Sequence, residues 1–241
     1  MLSLEGVLKV REQSGSRFEL ALPAFSVAPG EFVAVVGESG CGKSTLLDLL
    51  ALISRPTRAQ GFRMRLAGGE VQDIAALWRL QDEQALASIR RRHLGYVLQT
   101  GGLLPYLSVR DNLLLPMRLN RLPGGRERIL SMSRRFGVED CLSRLPESLS
   151  GGQRQRVAIL RALAHAPSVV LADEPTAAVD RRRAVQIVQD FHALARQEGL
   201  AIIMVTHDLD LVRGVADASY GFEVEQLAAN HTRSTCRREA A

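Results

Sequence analysis

The stretch "GESGCGKST", residues 37 to 45, limits what this chain can fold into more than any other. It matches G-x-x-x-x-G-K-[ST] through Gly37, Gly42, Lys43 and Ser44, and it lies between an apolar run, "FVAVV", and the helical pattern "STLLDLLALI". Strand, glycine-rich loop and helix in that order make a phosphate cradle. The loop N–H groups face the anion, a lysine adds compact charge, and the serine hydroxyl is offered to magnesium. The candidate phosphate-binding residues are therefore Gly37, Glu38, Ser39, Gly40, Cys41, Gly42, Lys43, Ser44 and Thr45. The chain has only two lysines, Lys9 and Lys43, and uses arginine everywhere else. A lysine kept here marks a place where a planar guanidinium will not substitute.

Four short apolar runs read as strands buried on both faces of a parallel sheet: residues 32 to 36, 94 to 98, 168 to 172 and 201 to 205. They end at the Gly37 loop, at Gln99, at Asp173 and Glu174, and at Thr206 and His207. Parallel sheets bind ligands at the carboxyl ends of their strands, so the four endings predict one shared site. Phe18, Leu20 and Leu22, and again Phe62, Met64 and Leu66, alternate with polar residues and predict a small antiparallel side sheet. Between Gln99 and Ser150 the pattern turns helical, with Ile129, Met132 and Phe136 on one face. This predicts a helical subdomain over about residues 100–165. The terminal "NHTRSTCRREAA" reads as a disordered end, placing the domain at 1–226 and the tail at 227–241.

Each strand ending has its own chemistry. "VVLADE" delivers two adjacent carboxylates, an arrangement that is costly without cations or hydrogen bonds, and magnesium would compensate. Asp173 is placed to act on the metal, directly or through water, and Glu174 to activate an attacking water. Away from a phosphate loop such a pair would more often cap a helix. His207 in "VTHD" offers a donor to a terminal phosphate, and Gln99 can reach metal or water. "SLSGGQRQR" then raises a question of its own: Ser150, Gly151, Gly152 and Gln153 open a helix whose free N–H groups also suit an anion, so one nucleotide has two claimants.

Composition excludes several classes. With 241 residues, 46% hydrophobic and 24% charged, the chain has the makings of one well-buried core. Its net charge of +5 is spread among acidic residues without a basic arm, so nucleic acid is not implied. Cys41, Cys141 and Cys236 lack metal or disulfide spacing and are expected as reduced thiols. With no basic leader and no long apolar run, the chain is expected neither to be secreted nor to span a membrane.

Taken together, "GESGCGKST", Gln99, "LSGGQRQR", "VVLADEPT", Asp180 and "VTHD" follow the order and spacing of ABC-type ATPases, which the chain resembles over nearly its whole length. The stretch from Arg90 to Pro116 and "LADEPT" look closest to the ATPases of lipoprotein-release and macrolide-export systems. The resemblance implies an α/β fold: a P-loop NTPase core with a mainly parallel sheet, an antiparallel β subdomain and a helical subdomain. It implies ATP and Mg2+, with Ser44, Gln99 and Asp173 toward the metal and Glu174, His207 and Gln99 in catalysis. It also answers the question of the two claimants. In this family two cassettes pair head to tail, and Ser150, Gly151, Gly152 and Gln153 would serve the partner's ATP. The implied assembly is an ATP-dependent homodimer under separately encoded permease subunits, on the cytoplasmic face of the inner membrane, with no nucleic acid partner. A soluble family member acting on DNA or ribosomes is the alternative, but only 106 residues lie between Lys43 and Ser150, too few for a long coiled coil. A degenerate cassette is disfavoured because Lys43, Asp173, Glu174 and His207 are all present.

Two positions depart from the family. Val10 or Arg11 falls where an aromatic residue usually stacks on adenine; the nearest aromatic is Phe18, and an arginine plane could stack instead. In "TAAVD", Ala177 and Ala178 stand where relatives often carry serine, glycine or asparagine. Arg90 to Arg92 and Arg181 to Arg183 read as solvated helix faces, and Trp78 as packing. Leu103, Leu104, Pro105 and Tyr106 fit either core or a surface that meets the membrane subunits.

Overall fold

The computed structural model describes residues 1–66, 68–177 and 179–239. Strands β1 (Leu2–Gln13) and β2 (Ser16–Val27) form a hairpin whose two-residue turn, Ser14 and Gly15, has positive φ at both positions, matching the strand twist. Strand β3 (Phe32–Val36) feeds the glycine loop and α1 (Lys43–Leu50). Strands β4 (Gly61–Arg65) and β5 (Val71–Asp73) extend the antiparallel side, and α2 (Ile74–Leu80) and α3 (Glu83–His93) lead to β6 (Leu94–Val97). Helices α4 (Val109–Leu119), α5 (Gly125–Arg135) and α6 (Gly151–Leu163) follow, then β7 (Val169–Asp173), α7 (Arg181–Glu198), β8 (Ala201–Thr206) and α8 (Leu209–Val212). The chain closes on β9 (Ala218–Ala228) and β10 (His231–Arg238).

All four apolar runs become parallel neighbours in the order β3-β8-β7-β6. Their alternate residues feed two cores. Val33, Val35, Val169, Leu171 and Ile203 pack on the leucines of α1, while Phe32, Ala34, Val170, Ile202 and Met204 meet Phe191 of α7 and Ile159 of α6. A third core under α4, α5 and α6 centres on Val109, Leu113, Ile129, Val157 and Leu160. Asn112 is fully buried there, and its amide satisfies Leu104 and Leu107 carbonyls and the Leu104 N–H, pinning the loop that follows Gln99 to α4. Leu103 is packed against these cores while Tyr106 is 74% exposed, so that tetrapeptide divides between the two readings. Trp78 is buried, as expected.

Two expectations need correction. The antiparallel strands are not a separate side sheet: all ten strands form one sheet, ordered β5-β4-β1-β2-β10-β9-β3-β8-β7-β6. The join is the segment expected to be a disordered tail. β10 pairs parallel to β2 from His231 opposite Arg17 to Thr235 opposite Ala21, and antiparallel to β9. Its inward residues, Ser234 and Cys236, are fully buried. They are small and polar or sulfur-bearing, so the alternation that reveals a strand carries no large apolar residue here. Buried Glu19 of β2 clasps the join, accepting from Arg233 of β10 at 2.8 and 2.9 Å and from Arg17 at 2.9 Å. These bonds, led by Arg233, hold its carboxyl down at about 2 although burial pushes the other way.

Candidate nucleotide site

The carboxyl ends of β3, β7 and β8 and the residues just past β6 meet over the glycine loop. Gly40 and Gly42 adopt φ of 83° and 112°, conformations that side chains rarely take, and this turns the loop around the start of α1. At Gly37 a Cβ would stand 2.5 Å from Cys41 Sγ and 2.8 Å from Phe222, so only glycine lets the loop pack on β9. Lys43 is buried, and its Nζ donates to the Gly37 and Glu38 carbonyls, both at 2.7 Å. The same ammonium lies 3.8 Å from Glu174 Oε1. The Ser44 hydroxyl is exposed at the mouth, while Thr45 is buried beneath it.

Glu174 has φ of 42°, the left-handed region, although it is not glycine and precedes Pro175. Its N–H reaches back to the Val205 carbonyl at 3.0 Å, which ties it to β8. That turn aims its carboxylate between Lys43 and His207, whose Nδ1 lies 3.3 Å from Oε2. Burial first, and then the Glu174 charge, push Asp173 above the usual aspartate range. Lys43 is the cation in contact with this acidic pair, while Arg11 and Arg17 line the far end of the cavity they share.

A cavity of about 770 Å³ runs outward from these groups. Lys43, Ser44, Gln99, Asp173 and Glu174 line one end. At the other end are Arg11, Phe18 and Gln226, with Asn230 from the β9–β10 turn and Thr232 from β10. Arg11 is clamped by Asp48 at 2.6 Å, whereas the Val10 N–H is spent on Thr57. Sequence reasoning missed Asn230 and Thr232 because residues 227–241 read as tail, and Gln226, the last residue of the predicted domain, because it belongs to no motif. A cavity of equal volume at the amino ends of β7 and β8, beside Met132 and Leu194, holds none of the predicted residues.

Ser150, Gly151, Gly152 and Gln153 do not line the nucleotide cavity. Ser150 caps α6: its Oγ accepts from the Gln153 N–H, and the Gln153 side chain accepts from the Ser150 N–H. The amides of Gly151 and Gly152 remain as open donors of the first turn. Asp180 caps α7 through the Arg183 N–H; Ala177 is exposed, and Ala178 lies outside the described residues. The arginine runs lie on exposed helix faces as expected, apart from Arg90, which is half-buried and donates to the Leu52 carbonyl; Arg181 and Arg183 keep exposed pairings with Asp208 and Asp180.

Charged oxygen donors are what a hard divalent cation takes, and Ser44, Gln99 and Asp173 supply oxygen. Among the described residues no cluster of three His, Cys, Asp or Glu side chains could hold a metal ion.

A strand, a glycine loop with its lysine at a helix start, and an acidic pair on a neighbouring strand define a P-loop nucleotide-binding protein. The chain belongs to the ABC transporter family, whose profile matches residues 22–177. It is 42% identical over 190 residues to the uncharacterized ABC transporter ATP-binding protein YvrO of Bacillus subtilis, covering 78% of each chain. With the lipoprotein-releasing system ATP-binding protein LolD of Maricaulis maris it shares 39% over 190 residues, 78% of this chain and 79% of that one. The macrolide export ATP-binding/permease protein MacB of Syntrophobacter fumaroxidans is 39% identical over 77% of this chain, but the chain spans only a quarter of that protein's length. Among solved structures, the dimeric bacterial ABC transporter cassette MJ0796 is similar with a TM-score of 0.76 and 31% identity, over 92% of this chain and 94% of that one. A post-hydrolysis form of that cassette bound to ADP and Pi has a TM-score of 0.78. No helix among the described residues is long and apolar enough to cross a membrane.

Proposed function

We propose that this chain is the ATP-hydrolysing subunit of an ABC transporter of the lipoprotein-release or macrolide-export type, working as a homodimer on separately encoded permease chains. Through those permeases it would sit at the cytoplasmic face of the inner membrane. The observation that carries the reading is Glu174, held in a strained turn between Lys43 and His207 at the head of the glycine loop.

In this reading the loop amides and Lys43 receive the phosphates, and Lys43 leaves the Gly37 and Glu38 carbonyls to do so. Ser44, Asp173 and Gln99 would hold Mg2+, which when bound would supply positive charge beside the phosphates. Glu174 orients and deprotonates the attacking water, and His207 steadies its carboxylate and reaches the terminal phosphate. Gly151 and Gly152, absent from this chain's own cavity, offer their amides to the partner's nucleotide. Lipoprotein release and macrolide export are functions printed for the relatives LolD and MacB; nearly 40% identity to both supports the transporter class.

Glu174→Gln tests the assignment. Turnover should fall roughly 10²-fold or more, the usual size of a general-base contribution, while ATP still binds. Near-normal hydrolysis would remove Glu174 from the role.

A further inference from the structure

The net charge of +5 is not shared evenly along the chain. Residues 100–165 carry eleven arginines against five carboxylates, so the rest of the molecule is close to neutral. Four of the eleven are spent internally: Arg128, Arg154, Arg156 and Arg161 donate to backbone carbonyls. Arg134 and Arg135 meet Glu139 and Glu198. Arg110, Arg121, Arg126 and Arg144 are exposed and have no carboxylate partner among the described residues. Arg118 has only an exposed pairing with Asp111 at 3.4 Å, and Ser108 also holds that carboxylate.

Arg110 and Arg118 of α4 and Arg126 of α5 flank a groove of about 620 Å³. The Arg144 carbonyl accepts from the Val109 N–H at 2.9 Å, which ties the segment bearing Arg144 to the start of α4. Exposed leucines stand beside the arginines in sequence: Leu119 after Arg118, Leu122 after Arg121 and Leu145 after Arg144 are 57%, 40% and 41% exposed. Exposed leucines are costly in water, and leucines alternating with unpaired or weakly paired arginines are favourable where a headgroup layer offers acyl carbon to the leucines and anionic phosphate to the arginines.

We propose that the exposed end of α4 and the turn that follows it, carrying Arg118, Leu119, Arg121 and Leu122, rest on an anionic phospholipid surface. The groove itself does not favour a docked protein helix, because its floor, Leu114, Ile129 and Leu142, is already buried and has little apolar area left to cover. A nucleic acid would use the arginines but leave the leucines in water. The inference does not rest on the nucleotide reading, since none of these residues lines the nucleotide cavity.

The test is sedimentation of the full chain with vesicles of phosphatidylcholine alone or mixed equally with phosphatidylglycerol. Partition should require the anionic lipid and weaken with salt. Replacing Arg118→Gln together with Arg121→Gln should lower it about 25-fold, near fivefold per charge. The pair Leu119→Ser and Leu122→Ser keeps the charge and should still lower partition several-fold, while retention on immobilised heparin stays unchanged. ATP hydrolysis without vesicles should stay at the unmodified level in both pairs. Equal partition on the two vesicle types, no partition on either, or wild-type partition by either pair overturns the proposal.

Discussion

At the scale of single residues, Lys43 is the clearest case of chemistry fixed by side-chain shape. Its ammonium is buried and sits at 2.7 Å from two loop carbonyls and 3.8 Å from Glu174, a pocket sized for three donors on one compact atom. A guanidinium carries the same charge but spreads it over a plane that cannot enter the loop without displacing those carbonyls. Lys43→Arg should therefore fail to rescue what Lys43→Ala loses, with ATP affinity and turnover depressed alike in both; full activity of the arginine variant, measured by phosphate release, would refute the shape argument. Glu174 shows strain at the same scale. A φ of 42° in a residue preceding proline costs free energy, on the order of 1–3 kcal/mol, and persists because its N–H is tied to Val205. The identity and order of these residues were legible in the sequence, since the loop and the acidic pair each follow a recognisable apolar run. The strain was not, because φ at Glu174 is imposed by β8 across the sheet.

Elements divide in the same way. The parallel strands were readable because β3, β7 and β8 are buried on both faces and are apolar up to the site residues at their carboxyl ends. The β9–β10 hairpin was not, because its inward side holds Ser234 and Cys236 and its clasp is electrostatic. That clasp gives the strand pairing a pH dependence. Glu19 titrates near 2 in the folded protein against an ordinary 4.5, so its contribution is complete above the unfolded value and is lost as pH falls through the folded one. Thermal melting of the wild type should accordingly drop more steeply between pH 4.5 and 2 than that of Glu19→Gln. At neutral pH the variant should be less stable by roughly 1–3 kcal/mol, the cost of weakening charged bonds to a buried acceptor. Parallel acid limbs for the two proteins would mean that the β2–β10 join does not depend on that carboxylate.

At the scale of the whole molecule, the two anion sites of one chain do not meet. The cavity over the glycine loop is lined by Lys43, Asp173 and Glu174, and the start of α6 at Ser150 is not part of it. A capped helix with two open amides that lies outside its own chain's nucleotide cavity makes sense if a second copy brings its nucleotide, and the similar cassette MJ0796 is a dimer. If each phosphate is held by two chains, binding energy becomes association energy, and a Glu174→Gln chain that cannot hydrolyse should dimerise with ATP and magnesium. Adding Ser150→Arg should abolish that dimer by blocking the approach to Gly151 and Gly152, while ATP still binds the chain's own loop. The decisive experiment mixes two defective chains, one carrying Lys43→Ala and the other Ser150→Arg. Head-to-tail pairing collects both lesions in one composite site and leaves the other intact, so partial hydrolysis should return on mixing. A coupling control, a linked dimer with one intact site and one disabled by Lys43→Ala, shows whether a single good site turns over. If that control hydrolyses ATP and the mixture, with heterodimers formed, does not, the shared site is wrong and Ser150 serves its own chain.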